Sequence, residues 1–294
     1  MWWGEENMRW REGRRSGNVE DQRGRGISGR TLGGGIIGIL VIVVLGLLMG
    51  ADPVTLLSAI IGESGGSLDG FTPSASLSAA DNESADFVSV VLADTEDTWM
   101  VIFKDRGLAY QQPRLVLFTG SVDSACGFAQ SAMGPFYCPG DRKVYIDLDF
   151  YRELKDQLGA PGDFAQAYVI AHEVGHHVQN QLGTSDRIQG LQSRSNEATA
   201  NKYSVMLELQ ADCYAGVWAN HADRQRQVIE EGDIEEAMNA AAKIGDDALQ
   251  RQSQGYVVPD SFTHGTSAQR MKWFNAGLAG GDIDSCDTFN ATVV

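Results

Sequence analysis

The chain has 294 residues and is acidic overall, with 39 Asp and Glu, 23 Lys and Arg and a formal net charge of −16 at pH 7. Basic residues slightly outnumber acidic ones in the first 32 positions, so the remainder of the chain carries the negative charge. A domain of that charge offers no basic face of useful size, which excludes nucleic acid as a partner.

A long apolar segment follows the first part of the chain. Between Thr31 and Ala51 no residue is charged, and most are Ile, Leu, Val or Gly. About 20 apolar residues in a helix span the hydrocarbon core of a bilayer, so the sequence predicts a transmembrane helix over residues 33–50. A cleaved signal peptide is the alternative, although the preceding tail of about 30 residues is long for one.

The charges on the two sides of this segment differ. Arg23, Arg25 and Arg30 precede it, whereas no Lys or Arg follows it until Lys104. Because positive charge is retained on the cytoplasmic side, residues 1–32 are predicted to form a cytoplasmic tail and the rest of the chain to lie outside the membrane.

A linker and one domain are predicted after the apolar segment. Residues 51–82 are rich in Ser, Gly and Ala, as linkers are, and residues 83–294 form the domain. A small antiparallel sheet followed by helices gives an α+β domain of about 210 residues. Its first elements are a helix over 84–104 and strands at 115–118, 136–138 and 144–148.

The chain contains four cysteines, Cys126, Cys138, Cys213 and Cys286. Four cysteines allow three pairings. The short separation across a predicted hairpin favours Cys126 with Cys138, which leaves Cys213 with Cys286. Disulfides are typical of an oxidising compartment. The alternative for Cys213, which follows Asp212, is a role as a zinc ligand.

The string His172-Glu173-Val174-Gly175-His176 lies in a segment of helical periodicity that ends at Gly183. Two histidines four apart lie on one face of a helix, where both imidazoles can bind one zinc ion with Glu173 beside them as general base. Asp163 and Gln166 are predicted to form a capping box at the start of this helix. Two structural histidines on an amphipathic helix are the alternative.

A second helical segment, residues 204–218, supplies a candidate third ligand. Glu208 and Asp212 lie four apart in an apolar setting, where a carboxylate is costly unless it is paired or bound to a metal. We therefore predict that Glu208 binds the zinc ion and that Asp212 holds a ligand histidine through its ring N–H. An ordinary solvated helix face is the alternative.

Several segments together carry a resemblance to a known family. They are residues 172–179 and 208–216, Phe136–Pro139 running into Tyr145–Asp147, His264–Arg270 and Arg14–Asp21. Over these segments the chain resembles the bacterial neutral zinc metallopeptidases. The resemblance implies a zincin-like catalytic domain with a glutamate as third zinc ligand, anchored in the bacterial inner membrane with its catalytic domain in the periplasm.

The resemblance also implies a polypeptide substrate that binds at the edge of the sheet. It assigns that edge to residues 132–136, where Pro135 suits an edge strand because it cannot donate to a ladder. It further draws attention to His264, which lies in a matching segment ahead of a helix opened by Thr266 and Gln269. His264 is the candidate donor to the oxyanion, and capping or packing is the alternative.

The function predicted from these residues is metal-assisted hydrolysis of peptide bonds. A zinc-activated water attacks the peptide carbonyl, with Glu173 as general base. The alternative is a non-catalytic binding module of the cell envelope stabilised by zinc, although a structural zinc usually has four protein ligands and the sequence offers three. Of the remaining histidines, His177 is predicted to be structural and His221 to lie at the surface. The natural substrate and the oligomeric state do not follow from the sequence.

Overall fold

The computed structural model describes residues 8–24, 78–130 and 134–291. Of these, residues 8–22 and the described residues from Ala79 onward belong to one compact unit. The transmembrane helix predicted at 33–50 and almost all of the predicted linker lie outside the described residues.

Six strands are described, and four of them form one sheet in the order β1-β2-β6-β5. The strands are β1 Val19–Asp21, β2 Arg114–Phe118, β3 Ser121–Ser124, β4 Gly127–Gln130, β5 Phe136–Cys138 and β6 Lys143–Asp147. β2 pairs in parallel with β1 and β6, whereas β5 pairs antiparallel with β6. β3 and β4 form a separate antiparallel hairpin.

The prediction of a small antiparallel, zincin-like sheet is wrong, because two of the three pairings in the main sheet are parallel. Parallel neighbours need a crossover of about a dozen residues or more. The chain supplies this twice, because a long helix, α1 (Ala79–Asp105), precedes β2, and the hairpin together with β5 separates β2 from β6. The local sequence pattern predicts β2, β5 and β6 as extended, but it carries no information on the direction in which they pair.

Residues 8–21, which were predicted to belong to a cytoplasmic tail, are part of the folded unit. Met8 and Trp10 are buried in the same core as α1, and the Trp10 ring lies edge-on to Phe87 with 5.4 Å between centroids. Arg14 donates a hydrogen bond of 2.9 Å to the buried Glu96 of α1. The strand β1 then completes one side of the sheet.

This arrangement overturns the predicted localisation. A single crossing of a bilayer by residues 33–50 would place residues 8–21 and 79–291 on opposite sides, but the two segments share one sheet and one core. Within the described part of the chain, no helix combines the length and apolarity needed to cross a membrane. The prediction of an inner-membrane anchor with a cytoplasmic N-terminus and a periplasmic domain is therefore wrong.

The helices after α1 form the larger part of the unit. The helix α3 (Asp163–Gln181), which carries the two motif histidines, is preceded by Gly162 with φ 120° and has no side-chain cap, so the predicted capping box of Asp163 and Gln166 does not form. Gly183, with φ 73°, follows α3 and leads into α4 (Thr184–Gln192). These helices are α2 Asp149–Asp156, α3 Asp163–Gln181, α4 Thr184–Gln192, α5 Glu197–Arg226, α6 Asp233–Lys243, α7 Asp246–Gln254 and α8 Ser267–Gly280.

Glycines allow the helices around the site to approach closely. A Cβ at position 277 would lie 1.9 Å from the carbonyl oxygen of Cys213, so Gly277 lets α8 touch the backbone of α5. A Cβ at Gly175, between the two motif histidines, would lie 3.0 Å from the carbonyl oxygen of Ala211. The close crossing of α3 and α5 at this point brings Glu208 of α5 within reach of the histidines.

Both predicted disulfides are present, Cys126 with Cys138 and Cys213 with Cys286, at Cα–Cα distances of 5.8 and 5.6 Å. The first ties the turn between β3 and β4 to the edge strand β5. The second ties α5 to a short 3-10 helix at Ile283–Cys286. Because the sulfur of Cys213 is in a disulfide, the alternative of Cys213 as a zinc ligand is excluded.

Candidate metal centre

Three side chains from two helices converge on one point. α3 carries His172 and His176, and α5 carries Glu208. The Nε2 atom of His172 lies 3.1 Å from Glu208 Oε2, and the Nε2 atom of His176 lies 3.3 Å from Glu208 Oε1. One donor atom of each residue lies within 4.8 Å of the other two. The three residues predicted as zinc ligands are therefore brought together.

The second ring nitrogen of His172 is held by a buried network. His172 Nδ1 donates to Asp212 Oδ1 at 2.8 Å, and the Tyr168 hydroxyl donates to the same oxygen. Arg270 donates to both oxygens of Asp212 at 2.9 Å and compensates the charge of this fully buried carboxylate. With the proton of His172 fixed on Nδ1, the lone pair of Nε2 is left for a metal.

His176 is oriented by a different partner. Its Nδ1 donates to the side-chain oxygen of Gln179 at 2.9 Å. Gln179 is itself buried and donates through Nε2 to the carbonyl of Leu207, one residue before Glu208, at 2.7 Å. Both histidines therefore present Nε2 towards the carboxylate of Glu208.

The donor set suits Zn²⁺, because two imidazole nitrogens and one carboxylate are the protein ligands of many catalytic zinc sites. The electrostatics of the site agree with this. Burial opposes protonation of His172, but the carboxylates of Asp212 and Glu208 outweigh it and raise its pKa to about 10. Glu208 likewise outweighs burial and raises the pKa of His176. The site thus favours positive charge between these side chains, which a divalent cation would supply.

Glu173 lies beside the ligands and is only 7% exposed, yet it lines the cleft that opens over them. Burial raises the pKa of its carboxyl group, and the neighbouring histidines oppose that rise. A carboxylate with a raised pKa at a cleft wall is suited to take up a proton during a reaction.

The cleft has a volume of about 730 Å³, and the ligand residues and the edge strand share its wall. β5 is the last strand in the order of the sheet, and among the described strands it pairs with β6. Residues 131–133 lie outside the described residues, but the rest of the predicted substrate edge, Gly134, Pro135 and Phe136, lines the cleft. Its other apolar lining residues include Phe150, Leu158, Val169, Leu207, Ile244 and Leu249.

The loop before α8 places His264 at the same cleft. Asp246, the first residue of α7, accepts hydrogen bonds from the three successive backbone N–H groups of residues 263–265, at 2.7 to 2.9 Å. Its other oxygen lies 3.2 Å from His264 Nδ1. This hydrogen bond raises the pKa of His264 against the effect of burial, and the charge of Glu208 adds to the rise. The predicted capping box of Thr266 and Gln269 opens the helix that follows.

Two further histidines lie outside the ligand group. His177 contacts the carbonyl of Gln111 through Nε2 at 2.6 Å and the hydroxyl of Tyr137 through Nδ1 at 3.0 Å, and burial lowers its pKa to about 4. It thus links α3 to β5. His221 is half-buried and contacts the carbonyl of Gly281 at 2.8 Å.

Four polar residues that support the site were not singled out from the sequence: Tyr168, Gln179, Asp246 and Arg270. Gln179 and Tyr168 lie on α3 and are buried. A polar group among the apolar residues of the buried helix face is the sequence feature that could have identified them. Arg270 ends the tail segment that carried the family resemblance. Asp246 had no distinctive signal, because an acidic residue at the start of a helix is common.

Residues 8–289 match the family described as "Putative neutral zinc metallopeptidase". The chain belongs to this family. The match covers the N-terminal strand, both motif helices and the loop of His264, and the family description names zinc and a peptidase. His172 and His176 of α3 and Glu208 of α5 form a donor set that fits zinc.

Proteins similar to this chain occur in Escherichia coli and in Mycobacterium. Uncharacterized protein YpfJ of Escherichia coli K12 is 50% identical over 296 residues, which cover 97% of this chain and 100% of the relative. Uncharacterized protein Mb2605 of Mycobacterium bovis is 43% identical over 216 residues, which cover 70% of this chain and 72% of the relative. No solved structure matches the chain.

Proposed function

We propose that this protein is a zinc-dependent peptidase that hydrolyses peptide bonds in polypeptides, with His172, His176 and Glu208 as the zinc ligands. The observation that supports this most is the meeting of two imidazole Nε2 atoms with one carboxylate at the wall of an open cleft. Asp212 does not add a fourth ligand, because its oxygens are engaged by His172 and Arg270. A three-ligand set leaves one position open, which is typical of catalytic zinc sites.

Glu173 acts as the general base in this proposal. A bound zinc ion would lower the pKa of a water molecule and polarise the peptide carbonyl. The carboxylate of Glu173 accepts the proton of the attacking water and returns it to the leaving amine. Burial, which disfavours the anion, makes this carboxylate a better proton acceptor than an exposed glutamate.

His264 stabilises the negative charge that develops on the carbonyl oxygen. Asp246 engages its Nδ1, so Nε2 is the ring nitrogen available to the cleft. The raised pKa favours the imidazolium form, in which Nε2 is a charged donor. A donor of this kind, held in place before the reaction, is an efficient way to stabilise an oxyanion.

The edge strand β5 binds the substrate backbone as an additional strand. Phe136 of this strand lines the cleft, and its ring stacks on Tyr145 of β6 at 4.8 Å between centroids. The contact of Tyr137 with His177 and the disulfide of Cys138 hold the strand rigid. A rigid edge suits recognition through main-chain hydrogen bonds, because little order is lost on binding.

The test compares the zinc-loaded protein with Glu173→Gln, using an unfolded polypeptide as substrate. The rate should fall by about 10²- to 10⁴-fold, since general-base catalysis contributes that much, while the zinc content is unchanged. Glu153→Gln is the matched control, because Glu153 also lines the cleft but is not part of the ligand helix. Equal rates for the protein and Glu173→Gln would refute the peptidase and favour a zinc-stabilised binding module.

A further inference from the structure

A second cluster of carboxylates lies at the other end of the helix that carries the zinc ligands. It consists of Asp163, the first residue of α3, and of Asp233 and Glu236 in the first turn of α6. One oxygen of each side chain lies within 4.8 Å of the other two. At 1.5 Å per residue, Asp163 is about 13 Å along the helix axis from His172. The cluster is therefore separate from the zinc site.

Hydrogen bonds from backbone N–H groups explain part of this cluster but not all of it. Asp163 accepts a hydrogen bond from the backbone N–H of Met8 at 3.2 Å, and Glu236 accepts one from that of Phe164 at 3.1 Å. Asp233 accepts one from the N–H of Glu230 through Oδ2 at 2.8 Å. Asp233 is only 1% exposed, however, and its Oδ1 has no hydrogen-bond partner among the described residues. A buried oxygen without a partner is costly and calls for an explanation.

Two of the three carboxylates, those of Asp163 and Asp233, also lack a compensating positive charge at ion-pair distance among the described residues. The nearby Arg11 pairs with Glu83 on α1 instead. Burial, reinforced by the charges of Asp163 and Glu236, raises the pKa of Asp233 to about 7. The site would therefore gain from a bound positive charge.

We propose that Asp163, Asp233 and Glu236 bind a hard divalent cation, Ca²⁺. The donors are carboxylate oxygens alone, which suit hard cations and not a second zinc ion. Ca²⁺ fits better than Mg²⁺, because Mg²⁺ keeps several waters and is usually held by one or two protein carboxylates. A cation beside Oδ1 of Asp233 would satisfy the buried oxygen and neutralise the cluster.

The cation would join three parts of the fold. Asp163 belongs to the helix of the zinc ligands, Asp233 and Glu236 belong to α6, and Met8 of the N-terminal segment binds Asp163 directly. The expected effect is on stability, since a ligand that binds only the folded state raises the melting temperature. This proposal does not depend on peptidase activity.

The test is calcium binding by the zinc-loaded, full-length protein. After removal of Ca²⁺ and Mg²⁺ with zinc retained, saturating Ca²⁺ should raise Tm by about 5 °C or more, with about one Ca²⁺ bound per chain in equilibrium dialysis. Asp233→Asn should lose both the rise in Tm and the bound Ca²⁺. Glu235→Gln, an exposed neighbour on the same helix, should keep both. If Asp233→Asn does not fold, Glu236→Gln replaces it, with the same expected loss.

Three results would overturn the proposal. The first is the absence of bound Ca²⁺ in dialysis, and the second is an unchanged response in the cluster variant, which would mean that Ca²⁺ binds elsewhere. The third is a rise in Tm with Mg²⁺ as large as that with Ca²⁺, which would remove the assignment to calcium. None of these results bears on the proposed peptidase, which is measured by cleavage.

Discussion

His172 Nε2 lies 3.1 Å from Glu208 Oε2, although the two residues belong to different helices and are 36 positions apart in the chain. This contact joins α3 to α5 at the point where Gly175 allows the helices to approach. The carboxylate also reaches His176. Glu208 thus adds a third candidate ligand to the pair of histidines on α3.

Replacement of Glu208 by Ala should remove zinc from the protein. One of the three ligands is lost, so the affinity should fall by more than the roughly 10- to 100-fold that loss of an outer partner costs. Zinc per chain, measured by atomic emission after dialysis, checks this. Glu197→Ala at the start of the same helix is the control and should retain zinc. Full zinc content in Glu208→Ala would transfer the third ligand to another residue.

Replacement of Asp212 by Asn should weaken zinc binding without abolishing it. The Asp212 carboxylate accepts from His172 and pairs with Arg270, so the variant loses the charge that fixes the ring and compensates the arginine. A loss of about 10- to 100-fold in zinc affinity is expected for such an outer partner. Competition with a chromophoric chelator measures it. An unchanged affinity would show that the Asp212 charge does not support His172.

The helices of the site were accessible to sequence reasoning because their signals are local. The histidine string, the apolar periodicity of α3 and the acidic pair Glu208 and Asp212 all lie within single helices. Both disulfides were also predicted. The pairing of β1 was not, since Val19–Asp21 is a three-residue strand whose partner, β2, is about 95 positions away.

The N-terminal segment shows the limit of that reasoning most clearly. Arg14 lies within residues 1–32, the segment predicted to form a cytoplasmic tail. In the fold, Arg14 pairs with Glu96 and Asp97 of α1. The composition of a segment cannot distinguish the arginines of a cytoplasmic tail from arginines that pair with carboxylates of a folded domain, because the partner carboxylates are recognisable only once the chain is folded. The same applies to Arg270, whose partner Asp212 lies on another helix.

Replacement of Asp246 by Asn should shift the pH dependence of cleavage. The hydrogen bond from the His264 ring to Asp246 is the largest cause of the raised pKa of His264, and a raised pKa keeps the imidazolium form at higher pH. Without the carboxylate charge the pKa falls, so the alkaline limb of kcat/KM should move to lower pH. The profile of kcat/KM across neutral and alkaline pH measures this. An alkaline limb at the same pH in both proteins would remove His264 from the oxyanion role.

Replacement of Gly277 by Ala should destabilise the protein. The new Cβ would lie 1.9 Å from the carbonyl oxygen of Cys213, so α5 and α8 would have to separate. Overpacking of this kind costs about 1 to 3 kcal/mol or more. Gly190→Ala on α4 is the matched control, because a Cβ there meets nothing within 4 Å. It should stabilise the helix by up to about 1 kcal/mol. The Tm values of the two variants, measured by thermal unfolding, test this difference. Equal Tm values would contradict the close packing of α5 against α8.

The central claim, that the site hydrolyses peptide bonds with Glu173 as general base, is tested most directly by mass spectrometry of the products formed in ¹⁸O-labelled water. The zinc-loaded protein should convert an unfolded polypeptide into fragments whose new carboxyl termini carry ¹⁸O, because the attacking oxygen comes from water. Glu173→Gln with equal zinc content should give almost none of these fragments. The absence of labelled fragments from the zinc-loaded protein, or equal amounts from both proteins, would contradict the account.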